Sequence, residues 1–203
     1  MCAIRLLCET TDEKSRLQHV LPWIKAAGDP YYDWFFQDDL TCNKFLCLWL
    51  QNPQSEIFIG RIQALFVGPQ IAGGFIALDG EDLRKCRITD TKCLIAKSSL
   101  EQRRKILARL ALSEGLFLPV SSDEYYLSKI AVDRGFESRG YGSLLMDMYL
   151  ECGVKSGFSR YRLDVCVGNE IAIKCYEKFG FKTANESTTK NGELKYFSMT
   201  YER

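Results

Sequence analysis

Apolar residues recur along this chain first at helical spacing, then at strand spacing, and finally in alternating blocks of the two. Residues 3–8 read as a short opening strand. Val20, Leu21, Trp23 and Ile24 give the next segment an apolar helical face, with Thr10 or Thr11 as its cap and Asp12 and Glu13 in its first turn. Gly28, Asp29 and Pro30 break that pattern, and the aromatic run Tyr31-Tyr32-Asp33-Trp34-Phe35-Phe36 predicts a short helix started by Asp29 and Pro30. A further helix is expected over 41–51, ended near Pro53. Positions 64–68 and 71–78 predict two strands joined at Gly68-Pro69, with Gly73 and Gly74 allowing a bulge or a close backbone approach. No strand pattern occurs over 81–117. There Ser99 before Glu101 and Gln102 marks a helix start, Ile106, Leu107, Leu110 and Ala111 keep helical spacing, and Gly115 stops the run. This region predicts a helical insertion or lid, and its charged run 101–105 reads as a solvated face.

Beyond Pro119 the pattern becomes strand, helix, strand, helix. A strand is predicted over 125–132 and a helix from 142 to about 152, with Leu145, Met148, Tyr149 and Cys152 on one face. Another strand covers 161–167, followed by a helix over 170–179 capped by Asn169 and stopped by Gly180. Segments 181–183 and 194–201 pair as closing strands around a turn at 188–192. Strands joined through helices imply parallel pairing in the middle and a hairpin at the end. No internal repeat is visible, and the 203 residues suit a single domain over 1–203.

Composition narrows the classes. Charges nearly cancel, 27 Lys and Arg against 26 Asp and Glu, and no basic run interleaves with aromatics, so no nucleic-acid partner is expected. There are nine cysteines but no CxxC pair, and His19 is the only histidine, so no metal site is expected. Thiols beside Phe45, Leu46, Leu48 and Val165 read as buried and reduced. The start of the chain carries Arg5, Glu9, Asp12 and Glu13, and no apolar run reaches the roughly 18 residues of a membrane span. A cytoplasmic protein without a membrane partner is the expectation.

Two stretches carry chemistry. In Glu137-Ser138-Arg139-Gly140-Tyr141-Gly142, glycines let the chain turn tightly after a strand. The unpaired amides of the following helical turn can then bind a pyrophosphate, with Arg139 adding charge. The same pattern also serves as an ordinary strand-to-helix connection. It is no Walker loop, since no Gly-Lys-Ser or Gly-Lys-Thr follows, and it lacks the GxGxxG dinucleotide pattern. The second stretch is Asn169-Glu170-Ile171-Ala172-Ile173-Lys174-Cys175-Tyr176-Glu177-Lys178-Phe179-Gly180-Phe181. Tyr176 lies two helical turns beyond Asn169, on a similar face. A phenol with a pKa of about 10 can protonate a thiolate leaving group, or it can be a core tyrosine.

Together with Ile130-Ala131-Val132 before the turn and Ser143-Leu144-Leu145 after it, these stretches resemble the GNAT acyltransferase superfamily. The Arg139-Gly140-Tyr141-Gly142 turn is similar to the family's acyl-CoA pyrophosphate loop, and 169–181 to its Asn-x-x-Ala-x-x-x-Tyr-x-x-x-Gly-Phe segment. The resemblance implies an α/β (α+β) fold with a mixed, mostly antiparallel sheet of about seven strands flanked by helices. Strands four and five would splay apart within a CoA-binding core over about 124–181. It implies acetyl-CoA as cofactor, with amides of Ser138, Arg139, Gly140, Tyr141, Gly142 and Ser143 on the pyrophosphate. Backbone of Ile130, Ala131 and Val132 would hold the pantetheine arm with help from Asn169, and Tyr176 would protonate the departing thiolate. The implied reaction is N-acetylation of a primary amine by direct attack. Glu137 departs from the pattern, because a carboxylate facing a diphosphate repels it, and Ser138 stands where glycine is common.

The acceptor is less legible. Glu124, at the start of the fourth strand, is a candidate catalytic base, with Asp123 beside it. Tyr31, Tyr32, Asp33 and Tyr126 are candidate acceptor-binding residues, and Trp34 could extend an apolar or cation-binding wall. Tyr125 and Tyr126 alternate, so only one faces the cleft. The expected partner is an amine-bearing small molecule or peptide: polyamine, aminoglycoside-like amine, amino acid and protein N-terminus all stay open, as does the oligomeric state. Alternatives are a longer acyl-CoA and a noncatalytic acyl-CoA-binding regulatory module. A cysteine relay through Cys166 or Cys175 is the rival mechanism, although Cys175 and Tyr176, adjacent on a helix, diverge.

Overall fold

Period-two segments commit the chain to one seven-stranded sheet, and the amphipathic segments between them cover both of its faces. A computed structural model describes residues 2–6 and 13–203, with side chains from residue 17 onward. The strands are β1 (Cys2–Leu6), β2 (Gln63–Val67), β3 (Gln70–Asp79), β4 (Glu124–Val132), β5 (Arg160–Cys166), β6 (Lys182–Thr188) and β7 (Lys195–Glu202). They lie in the order β1-β2-β3-β4-β5-β7-β6. Every neighbouring pair is antiparallel except β4 and β5. The rest of the strand expected over 3–8, and the cap at Thr10 or Thr11 with Asp12, lie outside the described residues.

The helices are α1 (Glu13–Gly28), α2 (Tyr31–Phe36), α3 (Asp39–Leu50), α4 (Gly80–Lys97), α5 (Leu100–Leu112), α6 (Tyr141–Lys155) and α7 (Glu170–Lys178). The third starts earlier than its apolar pattern predicts because the Asp38 side chain accepts the Thr41 amide (2.8 Å). The region 81–117 holds two helices. Ser99 caps α5 in a reciprocal box with Gln102, as its sequence indicates. The preceding α4 escaped sequence reading because its buried face mixes Leu83, Cys86 and Leu94 with Asp90.

Two large cores form, one on each side of the sheet, and a small third cluster joins Leu116, Leu194 and Tyr196. Helices α1 to α5 pack over one face through residues such as Ile24, Phe45, Leu46 and Ile76. On the other face α6 and α7 pack over Phe75, Leu145, Tyr149, Leu163 and Met199.

β4 and β5 share four residue pairs, from Glu124↔Arg160 to Leu127↔Leu163. Both strands then continue, to Val132 and Cys166, without pairing to each other. The β3–β4 register shifts where Ile76 faces Lys129 and Ala77 faces Leu127, so Ser128 is an extra residue, a bulge. It resets the alternation. Tyr126 and Ala131 pack toward the α1–α5 side, whereas Ile130 and Val132 pack toward α6. The closed end of the wedge is pinned by Tyr149, whose buried hydroxyl donates to the Tyr125 carbonyl (2.5 Å). Arg162 adds bonds to the Ser198 hydroxyl (2.9 Å) and the Pro119 carbonyl (2.8 Å).

The glycines in β3 mark close backbone approaches. A Cβ on Gly73, which sits at φ +154°, would lie 2.4 Å from the Ala131 carbonyl oxygen, and one on Gly74 would lie 2.7 Å from that of Gln63. Gly73→Ala therefore has to displace the unpaired half of β4. We expect a loss of about 1–3 kcal/mol, measured as a lowered urea midpoint. An unchanged midpoint would mean that β4 moves freely at that point.

Candidate functional site

The wedge opens into a cavity of about 950 Å³, a size suited to a small-molecule site. One end is the turn before α6. Asp133 Oδ1 accepts the Gly135 amide (2.9 Å). Ser138 and Gly140 then take left-handed backbone angles, φ 59° and 81°. With Gly140 as its first flanking residue, α6 begins without a side-chain cap, so no side chain covers its first-turn amides. Ser138, Gly140, Tyr141 and Gly142 line the cavity, but Arg139 and Ser143 do not. The Arg139 guanidinium lies over the Phe136 ring, 5.6 Å from its centre. Glu137 lines the cavity with an exposed side chain and, among the described residues, forms no ion pair with Arg134 or Arg139.

Ile130, Ala131 and Val132 form the β4 wall. Asn169 also lines the cavity, and its side-chain oxygen accepts the Ala172 amide (3.2 Å), capping α7. One face of that helix brings Tyr176 to the cavity, 9 % exposed. Among the described residues its hydroxyl has no hydrogen-bond partner, and burial pushes the phenol above its ordinary value. Cys166 and Cys175 line the same space. Burial pushes the Cys175 thiol up, which keeps it protonated and argues against a thiolate relay there.

At the far end Tyr31, Tyr32 and Tyr126 line the cavity, but three other expected residues do not. Asp33 pairs with Lys25 (3.2 Å) on the outer side of α2, while Asp29, one turn earlier, lines the cavity. Trp34 donates its indole N–H to Glu193 and lies under the Arg109 guanidinium (4.6 Å). Glu124 is buried at the closed end of the wedge. Its carboxylate accepts the Ser121 amide (2.8 Å) and faces Arg162 (3.7 Å) and Arg160 (3.8 Å). That places it as an anchor of β4 and β5, away from the cavity.

A network of charged side chains that sequence reasoning missed crosses this far end of the cavity. Glu56, between α3 and β2, receives the Arg87 Nε–H at 3.1 Å. Its other oxygen is bonded by the Ser128 hydroxyl and lies 3.7 Å from the Lys129 ammonium. Arg87 Nη2 donates to the Tyr126 hydroxyl (3.3 Å), which donates to Asp164 (3.0 Å). Since Tyr126 pairs with Arg162, Asp164 is its diagonal neighbour just beyond the last paired residue of β5. Burial alone would raise the Glu56 carboxyl, but Arg87, Lys129 and Ser128 hold it down at about 2. Burial lowers Lys129 and raises Asp164. Asp90, 8 % exposed, accepts the Glu56 amide (3.0 Å) with one oxygen and leaves the other without a partner. The available signal was a pair of charges, Arg87 and Asp90, one helical turn apart among the apolar positions of α4.

A family model described as the acetyltransferase (GNAT) family matches residues 12–181. No curated protein matches the chain. Among solved structures, an N-acetyltransferase from Staphylococcus aureus Mu50 superposes with a TM-score of 0.71 at 17 % identity, covering 98 % of this chain and 100 % of the other. A protein described only as an acetyltransferase gives 0.62 at 23 % identity, covering 98 % of each chain. The ribosomal-protein-S18-alanine N-acetyltransferase of Escherichia coli gives 0.52 at 18 % identity, covering 100 % of this chain and 94 % of the other. These likenesses show a shared fold.

Asp90 makes stability depend on pH. Burial pushes its carboxyl up to about 7 from an ordinary 3.8, so between those values the folded chain holds a proton that the unfolded chain releases. Its contribution to stability therefore falls as pH rises through that window and is level above it. Asp90→Asn keeps an oxygen for the Glu56 amide and removes the penalty. Thermal melts should show a gain of about 1–3 kcal/mol near pH 8 and a smaller one near pH 5. A loss near pH 8 would show that the charge itself is needed.

Proposed function

The chain belongs to the acetyltransferase (GNAT) family, and on that premise we propose that it moves the acetyl group of acetyl-CoA to a primary amine by direct attack, with no covalent enzyme intermediate. The observation that carries this reading is the parting of β4 and β5 beside an uncapped helix start. The unpaired edge of β4 over 128–132 offers backbone donors and acceptors to an amide-bearing arm. The α6 terminus offers amides and a positive dipole end to a diphosphate, and nothing crowds Gly142, where an added Cβ would meet only Val132 at 3.9 Å. These features fit the cofactor. When bound, acetyl-CoA supplies a thioester carbonyl and a thiolate leaving group.

The chain's own groups move the protons. Asp164 sits where the strands part and lines the cavity, and burial makes its carboxylate a better proton acceptor than an ordinary one. We assign it the proton of the attacking amine, with Tyr126 fixing its orientation. Tyr176 offers a free hydroxyl to the sulfur. Because burial raises the phenol, full proton transfer is uphill, and hydrogen bonding to the developing thiolate is the larger part of its contribution. The free thiols among the described cysteines fit a reducing compartment such as the cytoplasm.

A thiol-release assay with acetyl-CoA and a panel of amines tests this reading. Tyr176→Phe should lower kcat by about 10- to 100-fold with CoA affinity held within about twofold. Asp164→Asn should lower kcat and remove the acidic limb of the pH–rate profile. Full turnover in the Tyr176 variant would remove it from the chemistry. At the other end of the cavity, Glu137→Gln should tighten CoA about two- to fivefold in calorimetry, since it removes a charge beside the helix start. An unchanged affinity would mean that the carboxylate faces away from the diphosphate.

A further inference from the structure

The acceptor end of the cavity carries a fixed cation and a fixed anion that do not touch each other. Arg87 is the cation. Glu56 holds its Nε and Tyr126 accepts from its Nη2, and among the described residues Nη1 has no hydrogen-bond partner. The side chain is 34 % exposed and lines the cavity. The ring of Tyr126 lies 5.3 Å and that of Phe117 5.7 Å from the guanidinium, which keeps it flat and oriented. Asp164 is the anion, and the Tyr126 hydroxyl is the spacer between them, bonded to both.

We propose that this pair recognises the zwitterionic head of a free α-amino acid. The carboxylate of the acceptor takes the open edge of Arg87, and its α-amine lies against Asp164. An α-amino acid keeps its nitrogen roughly 3 Å from its carboxylate oxygens, a spacing that spans two groups held one hydroxyl apart. Lys129, from the opposite side of Glu56, shares that carboxylate with Arg87, so Glu56 does not neutralise Arg87 alone. Beyond the head, Phe117 stacks edge-on against Tyr31 and Tyr196, each at 5.1 Å, and Phe35 and Trp49 continue the cavity wall. This wall fits an apolar or aromatic side chain. A diamine offers no carboxylate to the open edge of Arg87, so it leaves that guanidinium edge unpaired.

The inference rests on the transferase reading for its chemistry. The α-ammonium first gives one proton to Asp164; the neutral nitrogen then bonds to the acetyl carbon as the carbon–sulfur bond breaks, and the second proton it sheds ends on the sulfur, which leaves as the CoA thiol. The products are an N-acetyl amino acid and free CoA.

The test compares L-phenylalanine with phenethylamine, L-phenylalaninamide and 1,4-diaminobutane. Two readouts are taken: thiol release from acetyl-CoA, and calorimetric binding to the protein saturated with CoA. L-phenylalanine should exceed phenethylamine and the amide by about 10- to 100-fold in kcat/KM and in affinity. Arg87→Gln should erase that preference while CoA affinity, which also reports folding, stays unchanged. A preference for phenethylamine or the diamine in the wild-type protein overturns the inference whatever the variant does. Binding of phenylalanine with no thiol release from any acceptor would overturn the transferase reading and leave the amino-acid site standing.

Discussion

A parallel strand pair that stops after Leu127↔Leu163 and then diverges sets the terms for everything else in this molecule. An unmade ladder leaves backbone amides and carbonyls without partners, and each such group costs about 1–3 kcal/mol if water or a ligand does not reach it. The divergence has to be imposed by neighbours on both sides. Below the parting point, Tyr149 grips the Tyr125 carbonyl from the α6 face, and Arg162 ties β5 to β7 and to the segment before β4. Above it, α7 and the 133–140 turn stand on the α6 side and bring Tyr176, Tyr141 and Phe136 to the gap. The extra residue Ser128 lets β4 stay paired with β3 while it turns away from β5.

The buried charges follow from that geometry. Where the strands separate, Tyr126 and Asp164 form the last side-chain link across them, and Asp164 enters a setting where burial opposes its ionisation. A lone buried ion is untenable, and Asp164 has Arg162 of its own strand at 4.0 Å, with further partners from elsewhere in the fold. Arg87 arrives from α4 and Glu56 from the connection ahead of β2, and Asp90 holds the Glu56 backbone in place. The helical insertion thus has an electrostatic role as well as a packing one. Glu56 is the shared partner: removing it would leave both Arg87 and Lys129 without their carboxylate, which ties this end of the cavity to the stability of the α1–α5 side.

The legible parts of the sequence are those that local chemistry determines. Ser99, Asn169 and Gly180 mark helix ends because capping involves residues a few positions apart. Gly73 and Gly74 mark a tight backbone approach because only glycine has room there. The turn before α6 and the tyrosine of α7 are readable from short motifs for the same reason. Glu124 was misread because proximity to β4 says nothing about position along the wedge. It lies at the paired end, three residues before the parting point, and is consumed by Arg160 and Arg162. Asp33 likewise stands on the outer side of α2, paired with Lys25, while Asp29, in the connection ahead of that helix, is the carboxylate that lines the cavity.

This division explains why the proposed donor end of the cavity is easier to read than the proposed acceptor end. The donor end is built from backbone: an unpaired strand edge and an uncapped helix start. Side chains there need only stay out of the way, so a few glycines and a cap define it. The acceptor end is built from side chains contributed by residues 56, 87, 126, 129 and 164, which no window of sequence contains. Each of these residues taken singly reads as an ordinary surface charge or a strand tyrosine. Only the fold shows that Arg87, five donors on a rigid plane, has two edges occupied and one open. Guanidinium donors left over inside a cavity are as informative as a motif, because buried polar groups are rarely left without a partner. The chemistry that would satisfy them is that of a carboxylate, and beyond Glu56 the next anion along the network is Asp164, reached through the single hydroxyl of Tyr126.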